Sequence, residues 1–528
     1  MDYQTIIKKI DRKSITILSS AVMAVVVTWM IKRAIKKSKE PKTAGLKDIP
    51  TPKGEYFYIG HLPLFGKYPS FKVTEWHREL GPLFRIKMGV QDWVFIGDPE
   101  MAHELFMSKG SVTSGRPFFT YGTGYHGEGE RGIVFTDYGK PWKNTRTAAL
   151  DVLSPNTVDI LQETIARETG NGVELMIKDA FEAQEKNESI NPLAYTRLTA
   201  MSIILATVFG IDGAKSVEDP LYKRIISGME ENAHYISLVG DLSAYFPVLS
   251  FLDVLFRKER KMKNFVENSS RPLYRHLVQL ARLSDRPSLV KNLDEIKDSL
   301  KIDEQNIVAL TNELMIGGID TVSNSMAWAF AILCHHPDWQ KKMSDEIDSF
   351  VHKHGRLPMF TERKEIPSLI AVIKETLRYR PSIYFGVPHK ATKDVVYKDY
   401  VIPKGTILIS NAHTTNNDPR LFSEPEKFKP ERYLDDPKSL YASSNGSIQN
   451  RELFTFGWGR RICPGIYMAE SEMFNWMAQF FQRCTIEPFI SSTGEKIYPN
   501  LDDCVDKAST IAPLPYKVRL IKRHDTQL

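Results

Sequence analysis

Cysteine is scarce in this chain of 528 residues: there are four, Cys334, Cys463, Cys484 and Cys504, and no two form a CxxC pair. That excludes a disulfide framework and a structural zinc site, and it suits a reducing compartment. Strong charge imbalance is also missing. Lysine and arginine number 70 against 64 aspartates and glutamates, a net +6. No arginine-rich arm or aromatic-interleaved basic run accompanies that excess, so nucleic acid is not an expected partner. No internal repeat, low-complexity tract, P-loop, HExxH or GxSxG is present. Two weaker patterns carry little. Gly122-Thr123-Gly124-Tyr125-His126-Gly127 fits GxGxxG, but no strand precedes it and no helix start follows, so a flexible loop is expected. His335-His336-Pro337 reads as a helix end, because no further metal ligand has sensible spacing.

Long uncharged runs are rare as well, and the exception stands near the N-terminus. After a short segment (1–14), Ile15 to Ile31 contains no charge and is bracketed by Lys8, Lys9, Arg12 and Lys13 and by Lys32, Arg33, Lys36 and Lys37. Seventeen residues reach the lower limit for crossing a bilayer at about 1.5 Å each. Lysines and arginines follow it instead of a small-residue cleavage site, so it reads as a single transmembrane anchor, not a signal peptide. The heavier positive charge after it puts the rest of the chain in the cytosol, where the sequons at Asn187, Asn268 and Asn445 would stay unmodified. Residues 32–54 read as a basic, proline-stiffened linker, with Pro50 and Pro52 holding it extended. Residues 55–528 form the body.

Within the body, 42% hydrophobic content across the chain allows a large core. Leu83 to Met88 and Trp93 to Ile96 read as short strands around Gly89, and Asp98-Pro99-Glu100 as a capped helix start. Lys140 to Phe350 is mainly helical. Beyond Thr392 come strand-like pieces (Asp394 to Tyr397, Tyr400 to Ile402, Thr406 to Ser410), and Leu434 to Asn450 reads as an irregular meander.

That meander leads into Phe456-Gly457-Trp458-Gly459-Arg460-Arg461-Ile462-Cys463-Pro464-Gly465, followed by a helix-like run from Ile466 to Phe481. Three glycines permit tight turning and the close approach of a large flat ligand. Peptide N–H groups and a helix N-terminus directed at the sulfur favour thiolate over thiol. A thiolate held in this way is a strong donor ligand for haem iron. The pattern Phe456-x-x-Gly459-x-Arg461-x-Cys463-x-Gly465 resembles the haem-binding signature of the cytochrome P450 superfamily, and the likeness extends along nearly the whole body. The chain is similar to a microsomal, membrane-anchored, fungal-like member.

Further motifs appear in the family's order. Gly317-Gly318-Ile319-Asp320-Thr321 interrupts a long apolar helix candidate, Asp303 to Cys334, and resembles the oxygen-activating motif in which acid and alcohol adjoin. Two helix-interior glycines cost about 1 kcal/mol each against alanine. Gly317 and Thr321 share a face and leave room over a flat cofactor. The resemblance assigns Thr321 to handling dioxygen and its water, and Asp320 to proton relay. Val322 departs from the second hydroxyl residue of many members. Glu375 and Arg378, with Arg432 of Pro430-Glu431-Arg432-Tyr433, resemble the structural ExxR triad. Trp142 and Arg146 resemble the WxxxR helix that, with Arg461, serves the haem propionates. His389 stands where many members carry arginine, and is assigned to the other propionate.

The resemblance therefore implies a mainly α fold with small β-sheets and one preceding transmembrane helix. It implies haem b as cofactor, Cys463 as iron ligand, and Phe456 and Gly317 beside the ring. The reaction would insert one oxygen atom of O2 into a C–H bond of a hydrophobic substrate. Residues 464–528 leave no room for a flavin or nicotinamide domain, so electrons from NADPH are expected through a separate cytochrome P450 reductase, with cytochrome b5 as a further donor. Lys143 and Arg460 would help to form the docking face, on a protein of the endoplasmic reticulum membrane. Phe118, Phe119, Tyr121, Tyr384, Phe385, Val387 and Ile511 are expected around an apolar pocket, with His126 and Arg131 at its mouth. That ranks steroid- or sterol-like compounds ahead of fatty acids. Two rival readings share the cysteine: a haem-thiolate isomerase or dehydratase needing no reductase, and a non-catalytic haem sensor or carrier.

Overall fold

The computed structural model describes residues 46–186, 188–237, 240–435, 438–506 and 510–523. The expected anchor at 15–31, the first part of the linker and the sequon at Asn187 lie outside them. Among the described residues no helix is long and apolar enough to cross a membrane. The helices that position the site are α1 (Pro69–Leu80), α2 (Lys140–Val152), α3 (Gln162–Glu185), α4 (Pro192–Val208), α5 (Glu304–Cys334), α6 (Pro367–Tyr379) and α7 (Ile466–Arg483).

α5 is the axis of the body. Asp303 caps it, its carboxylate accepting the Asn306 N–H at 2.7 Å, and the helix then runs unbroken for 31 residues. It is apolar on nearly every side because other helices cover it. α4 packs along it, and the pair come close where a Cβ on Gly318 would lie 2.7 Å from Ile204 Cδ1. α3 lies across α4, and α7 is tied to α3 by Ser471 donating to Gln162 and by Gln479 donating to the Ala166 carbonyl.

The largest sheet has the order β1-β2-β6-β3, from β1 (Leu83–Met88), β2 (Gln91–Ile96), β3 (His389–Lys390) and β6 (Ile407–Ser410). β1 and β2 pair antiparallel from Leu83↔Ile96 to Met88↔Gln91, and β2 pairs parallel with β6. β4 (Val395–Tyr397) and β5 (Tyr400–Ile402) form a hairpin beside it. The described end of the linker is fastened to this part: the Lys47 N–H donates to the Asp399 carbonyl, and the Pro50 carbonyl accepts from Arg85. Asp98 caps the helix after β2 by accepting from Met101 N.

Two local expectations give way. Residues 120–126 are a π-type helical turn, not a loop. The buried Asp241 carboxylate accepts both the Thr120 N–H and its hydroxyl, and Gly127 N–H closes on the Gly122 carbonyl. The meander also contains a helix, Leu440–Asn445, capped by the Ser439 hydroxyl and anchored where Leu440 N–H meets Glu470.

Candidate functional site

The cysteine loop is a short 3-10 turn, Gly459–Arg461, closed by Ile462 N–H on Gly459 O, with Cys463 N–H donating to Phe456 O at 2.9 Å. Gly459 has φ +55°, and a Cβ there would stand 2.3 Å from the Phe106 carbonyl, so only glycine fits. Gly465 caps the 18-residue α7. Burial pushes the Cys463 thiol up, against the Gly465 N–H and the Arg146 charge, which both favour the thiolate. Arg451 braces the loop from behind, its guanidinium 3.8 Å from the Trp458 ring centre and donating to the Leu453 and Gly457 carbonyls.

The meander is locked as the ExxR pattern implies. Glu375 and Arg378 are fully buried on α6, joined by bonds of 2.7 and 2.8 Å. Glu375 also receives Arg432 Nε at 3.4 Å and Lys429 N–H at 2.8 Å. Arg378 spends its remaining donors on the Asn416, Pro425 and Lys427 carbonyls.

Beside the loop the structure gathers an excess of buried positive charge. Arg461 donates to the Ser114, Ile133 and Thr136 carbonyls and lies 4.1 Å from the Trp142 ring centre. Trp142 Nε1 meets the same Ile133 carbonyl at 3.0 Å. Arg146 donates to Ile462 O, while its Nε is buried without a partner. Arg116, which the sequence reading missed, is buried with them and donates to the Val134, Val387 and Pro388 carbonyls. Burial, then the Arg461 and Arg146 charges, push the Arg116 guanidinium well below its ordinary value; burial brings Arg461 down to about 9. The nearby carboxylates are Asp137 and Glu313. His389 Nδ1 donates to Thr113 O, 2.9 Å away, and burial followed by Arg116 holds its imidazole well below the ordinary value. Three guanidiniums against two carboxylates, with one orphaned Nε, leave a net positive site that would suit a propionate group.

On α5, Gly317 is exposed within an otherwise buried helix, and nothing lies within 4 Å of where its Cβ would be. Thr321 Oγ1 donates to the Gly317 carbonyl at 2.6 Å, so the hydroxyl sits at this gap. Asp320 faces elsewhere: its carboxylate lies 3.2 Å from Arg197 of α4. α5 packs on α7, the helix that opens behind Cys463. Among the expected pocket residues, Tyr121, Tyr384 and Ile511 are buried, Phe119 packs on Phe135 and Phe385 on Phe95, while Phe118 and Val387 stand exposed. Arg131 is engaged by Glu128 and Asp303. Glu313, one turn before Gly317, accepts the Ile133 N–H at 2.6 Å. No sequence signal marked it, because its partner is a backbone segment 180 residues away.

The arrangement has known counterparts. The family profile described as Cytochrome P450 matches residues 50–517. Cytochrome P450 monooxygenase 58 of Postia placenta is 27% identical over 516 residues, covering 93% of this chain and 91% of its own length. The steroid 17-alpha-hydroxylase/17,20 lyase of Felis catus is 28% identical over 476 residues, covering 87% and 89% respectively. A zebrafish cytochrome P450 structure with abiraterone shares the fold, with a TM-score of 0.68 at 22% identity, covering 86% of this chain and 100% of that one.

Proposed function

The chain belongs to the cytochrome P450 family of monooxygenases, whose cofactor is haem b, and on that premise we propose that it oxygenates a C–H bond of a lipophilic, steroid- or sterol-like substrate. Bound haem supplies the activation of dioxygen. The chain's own part is to hold groups around it. Cys463 is the iron ligand, its thiolate favoured by the Gly465 N–H and Arg146. Trp142, Arg146, Arg461 and His389 hold the propionates, and Arg116 joins them. Phe456 and Gly317 would adjoin the bound ring. Thr321 holds a hydroxyl proton at the Gly317 carbonyl, and Asp320 would relay protons towards it only on leaving its pair with Arg197. The observation that carries this reading is the Thr321 hydroxyl beside the open face of Gly317. An isomerase, dehydratase or haem carrier has no need of an alcohol placed there.

Several features support the finer reading. The pocket segments bring aromatic and branched side chains, and Arg131 is already paired with Glu128 and Asp303 and so is not offered to a fatty-acid carboxylate. NADPH–cytochrome P450 reductase, with cytochrome b5 as a further donor, would dock where Lys143 and Arg460 flank Tyr138 on the exposed side of α2. Membrane attachment through the segment at 15–31 is supported by an apolar surface elsewhere on the body. Phe251, Val254, Leu255 and Phe256 are 60 to 80% exposed, beside the exposed basic residues Arg257, Arg260, Lys261 and Lys263. Exposed Tyr56, Phe57 and Ile59 adjoin the same region through the Tyr58–Phe246 ring contact. Such a surface suits a lipid interface with acidic headgroups, and supports the reading of a body attached to the cytosolic face of the endoplasmic reticulum.

The test is NADPH consumption by purified protein. It should require both the added reductase and a steroid-like substrate, with hydroxylated product matching NADPH used. Turnover of a substrate without reductase would favour the isomerase or dehydratase, and no turnover despite haem binding would favour the carrier.

A further inference from the structure

One buried cation stands apart from the cluster assigned to the propionates. Arg451 is 6% exposed, and burial brings its guanidinium down to about 9 with no carboxylate among the described residues to offset it. Its Nε donates to the Leu453 carbonyl at 3.0 Å and Nη2 to the Gly457 carbonyl, while Nη1 is buried without a partner. The guanidinium also lies 3.8 Å from the Trp458 ring centre and 5.6 Å from that of Phe454. An unpaired buried charge is costly, and an apolar side chain of similar volume would fill the space without that cost. The benefit must therefore lie in what the donors and the flat face of the guanidinium hold.

They hold the part of the cysteine loop with the least stiffness of its own. Gly457 and Gly459 have φ +80° and +55°, and glycine gives up more backbone freedom on ordering than any other residue. The peptide before Gly457 carries the Phe456 carbonyl, which accepts the Cys463 N–H at 2.9 Å. The peptide after it carries the carbonyl that accepts from Arg451. Trp458, against the guanidinium, precedes the turn Gly459–Arg461, and its carbonyl accepts the Arg461 N–H at 3.2 Å. Arg451 thus fastens both residues that join the Phe456 carbonyl to the turn leading into Cys463.

We propose that Arg451 is a positioning residue for the iron ligand: by clamping Leu453, Gly457 and Trp458 it keeps the loop in the shape that presents the Cys463 thiolate to haem. The inference rests on the reading of Cys463 as that ligand and adds what holds its loop in shape. Without the clamp the loop opens locally and water reaches the sulfur. The thiolate then takes a proton from solvent and becomes a neutral thiol, a far weaker donor. Lysine at this position would keep the charge and one donor. It would lose the fork that reaches two carbonyls at once and the flat face against Trp458.

The experiment uses the full-length, haem-loaded protein, reduced with dithionite under carbon monoxide in a fixed, mild concentration of urea. It follows the rate at which the long-wavelength band of thiolate-ligated haem gives way to the shorter-wavelength band of haem without that ligand. Arg451→Met should convert about tenfold or more faster than wild type, the worth of one charge-assisted hydrogen bond, with Arg451→Lys between the two. Leu293→Ala, at a fully buried position on the helix Leu289–Leu300, lowers overall stability away from the loop. It should convert within about twofold of wild type, because the opening that matters is local. Arg451→Met at the wild-type rate, or Leu293→Ala as fast as Arg451→Met, would overturn the inference and leave Cys463 as the ligand. If circular dichroism shows that Arg451→Met does not fold, Arg451→Lys decides: a faster rate upholds the inference and the wild-type rate overturns it. Absence of the long-wavelength band from the wild-type protein would overturn the ligand assignment and the inference together.

Discussion

Gly317 and Gly318 are adjacent, yet alanine should have opposite effects at the two positions. Either substitution removes the backbone freedom of glycine in a helix interior, a gain of about 1 kcal/mol. At Gly317 no protein atom opposes that gain, because none lies within 4 Å of the new Cβ. At Gly318 the Cβ would stand 2.7 Å from Ile204 Cδ1 and 3.1 Å from Cγ1. Moving a buried isoleucine against a packed neighbouring helix costs about 1–3 kcal/mol. Gly317→Ala should thus be more stable than wild type by about 1 kcal/mol, and Gly318→Ala neutral to about 2 kcal/mol less stable. Urea unfolding of the haem-free protein, followed by far-ultraviolet circular dichroism, measures both. The added methyl at Gly317 also enters the space beside Thr321, so the bulkiest ligands should give a weaker spin shift in that variant alone. Equal stability of the two variants, or destabilisation by Gly317→Ala, would refute the assignment of one glycine to open space and the other to helix packing.

Other expected outcomes follow from single groups. Cys463→His should remove the long-wavelength carbon monoxide band of thiolate-ligated haem together with the activity; an unchanged band would move the ligand elsewhere. Thr321→Ala should keep haem and substrate binding while NADPH oxidation yields peroxide at the expense of product, so unchanged coupling would contradict the proton role of the hydroxyl. Glu472, buried on α7 with one oxygen unpartnered, has its carboxyl raised by burial from 4.5 to about 8. A raised carboxyl contributes stability that is complete below its unfolded value and lost as pH rises through its folded value. Glu472→Gln should therefore match wild type near pH 4.5 and gain on it by about 1.4 kcal/mol per pH unit up to about pH 8; a gap that does not vary with pH would place the ionised form in the fold.

What could be read directly from the sequence was local or carried by short fixed spacings. Asp303 and Asp98 announce their helices because a cap and the amide it satisfies lie within three residues. Glu375 and Arg378 find each other one helical turn apart, and Arg432 only had to arrive. What stayed hidden depends on partners distant in the chain. The turn at 120–126 is capped by Asp241, and its glycine pattern alone reads as loop. Arg116 looks like an ordinary surface cation until four backbone carbonyl and carboxylate partners from 134 to 388 close around its residue. Asp320 adjoins Thr321 in sequence, yet a helix turns neighbours about 100° apart, and Arg197 of α4 draws the carboxylate to its side. Adjacency in the motif did not mean convergence in space.

The segment from Gly132 to Thr136 shows why the two halves of the site belong to one mechanical unit. Its amides face α5: Gly132 N–H meets Asn306, and the Ile133 and Val134 N–H groups meet Glu313. Its carbonyls face the guanidinium cluster: Ile133 O takes Trp142 and Arg461, Val134 O takes Arg116, and Thr136 O takes Arg461. One bent strip of backbone is thus held on one side by the helix carrying Thr321 and on the other by the residues assigned to the propionates. The Val134 N–H and the Ile133 carbonyl share one rigid peptide plane, so a shift at Glu313 moves the carbonyl that orients Trp142 and Arg461. The Glu313 bonds to the Ile133 and Val134 amides therefore bear on how firmly haem is held. Glu313→Gln keeps one acceptor for Ile133 and should retain haem, while Glu313→Ala leaves two buried amides unpaired, at about 1–3 kcal/mol each, and should lose haem faster to apomyoglobin. Identical haem loss from both variants would break the link between this strip and the cofactor edge.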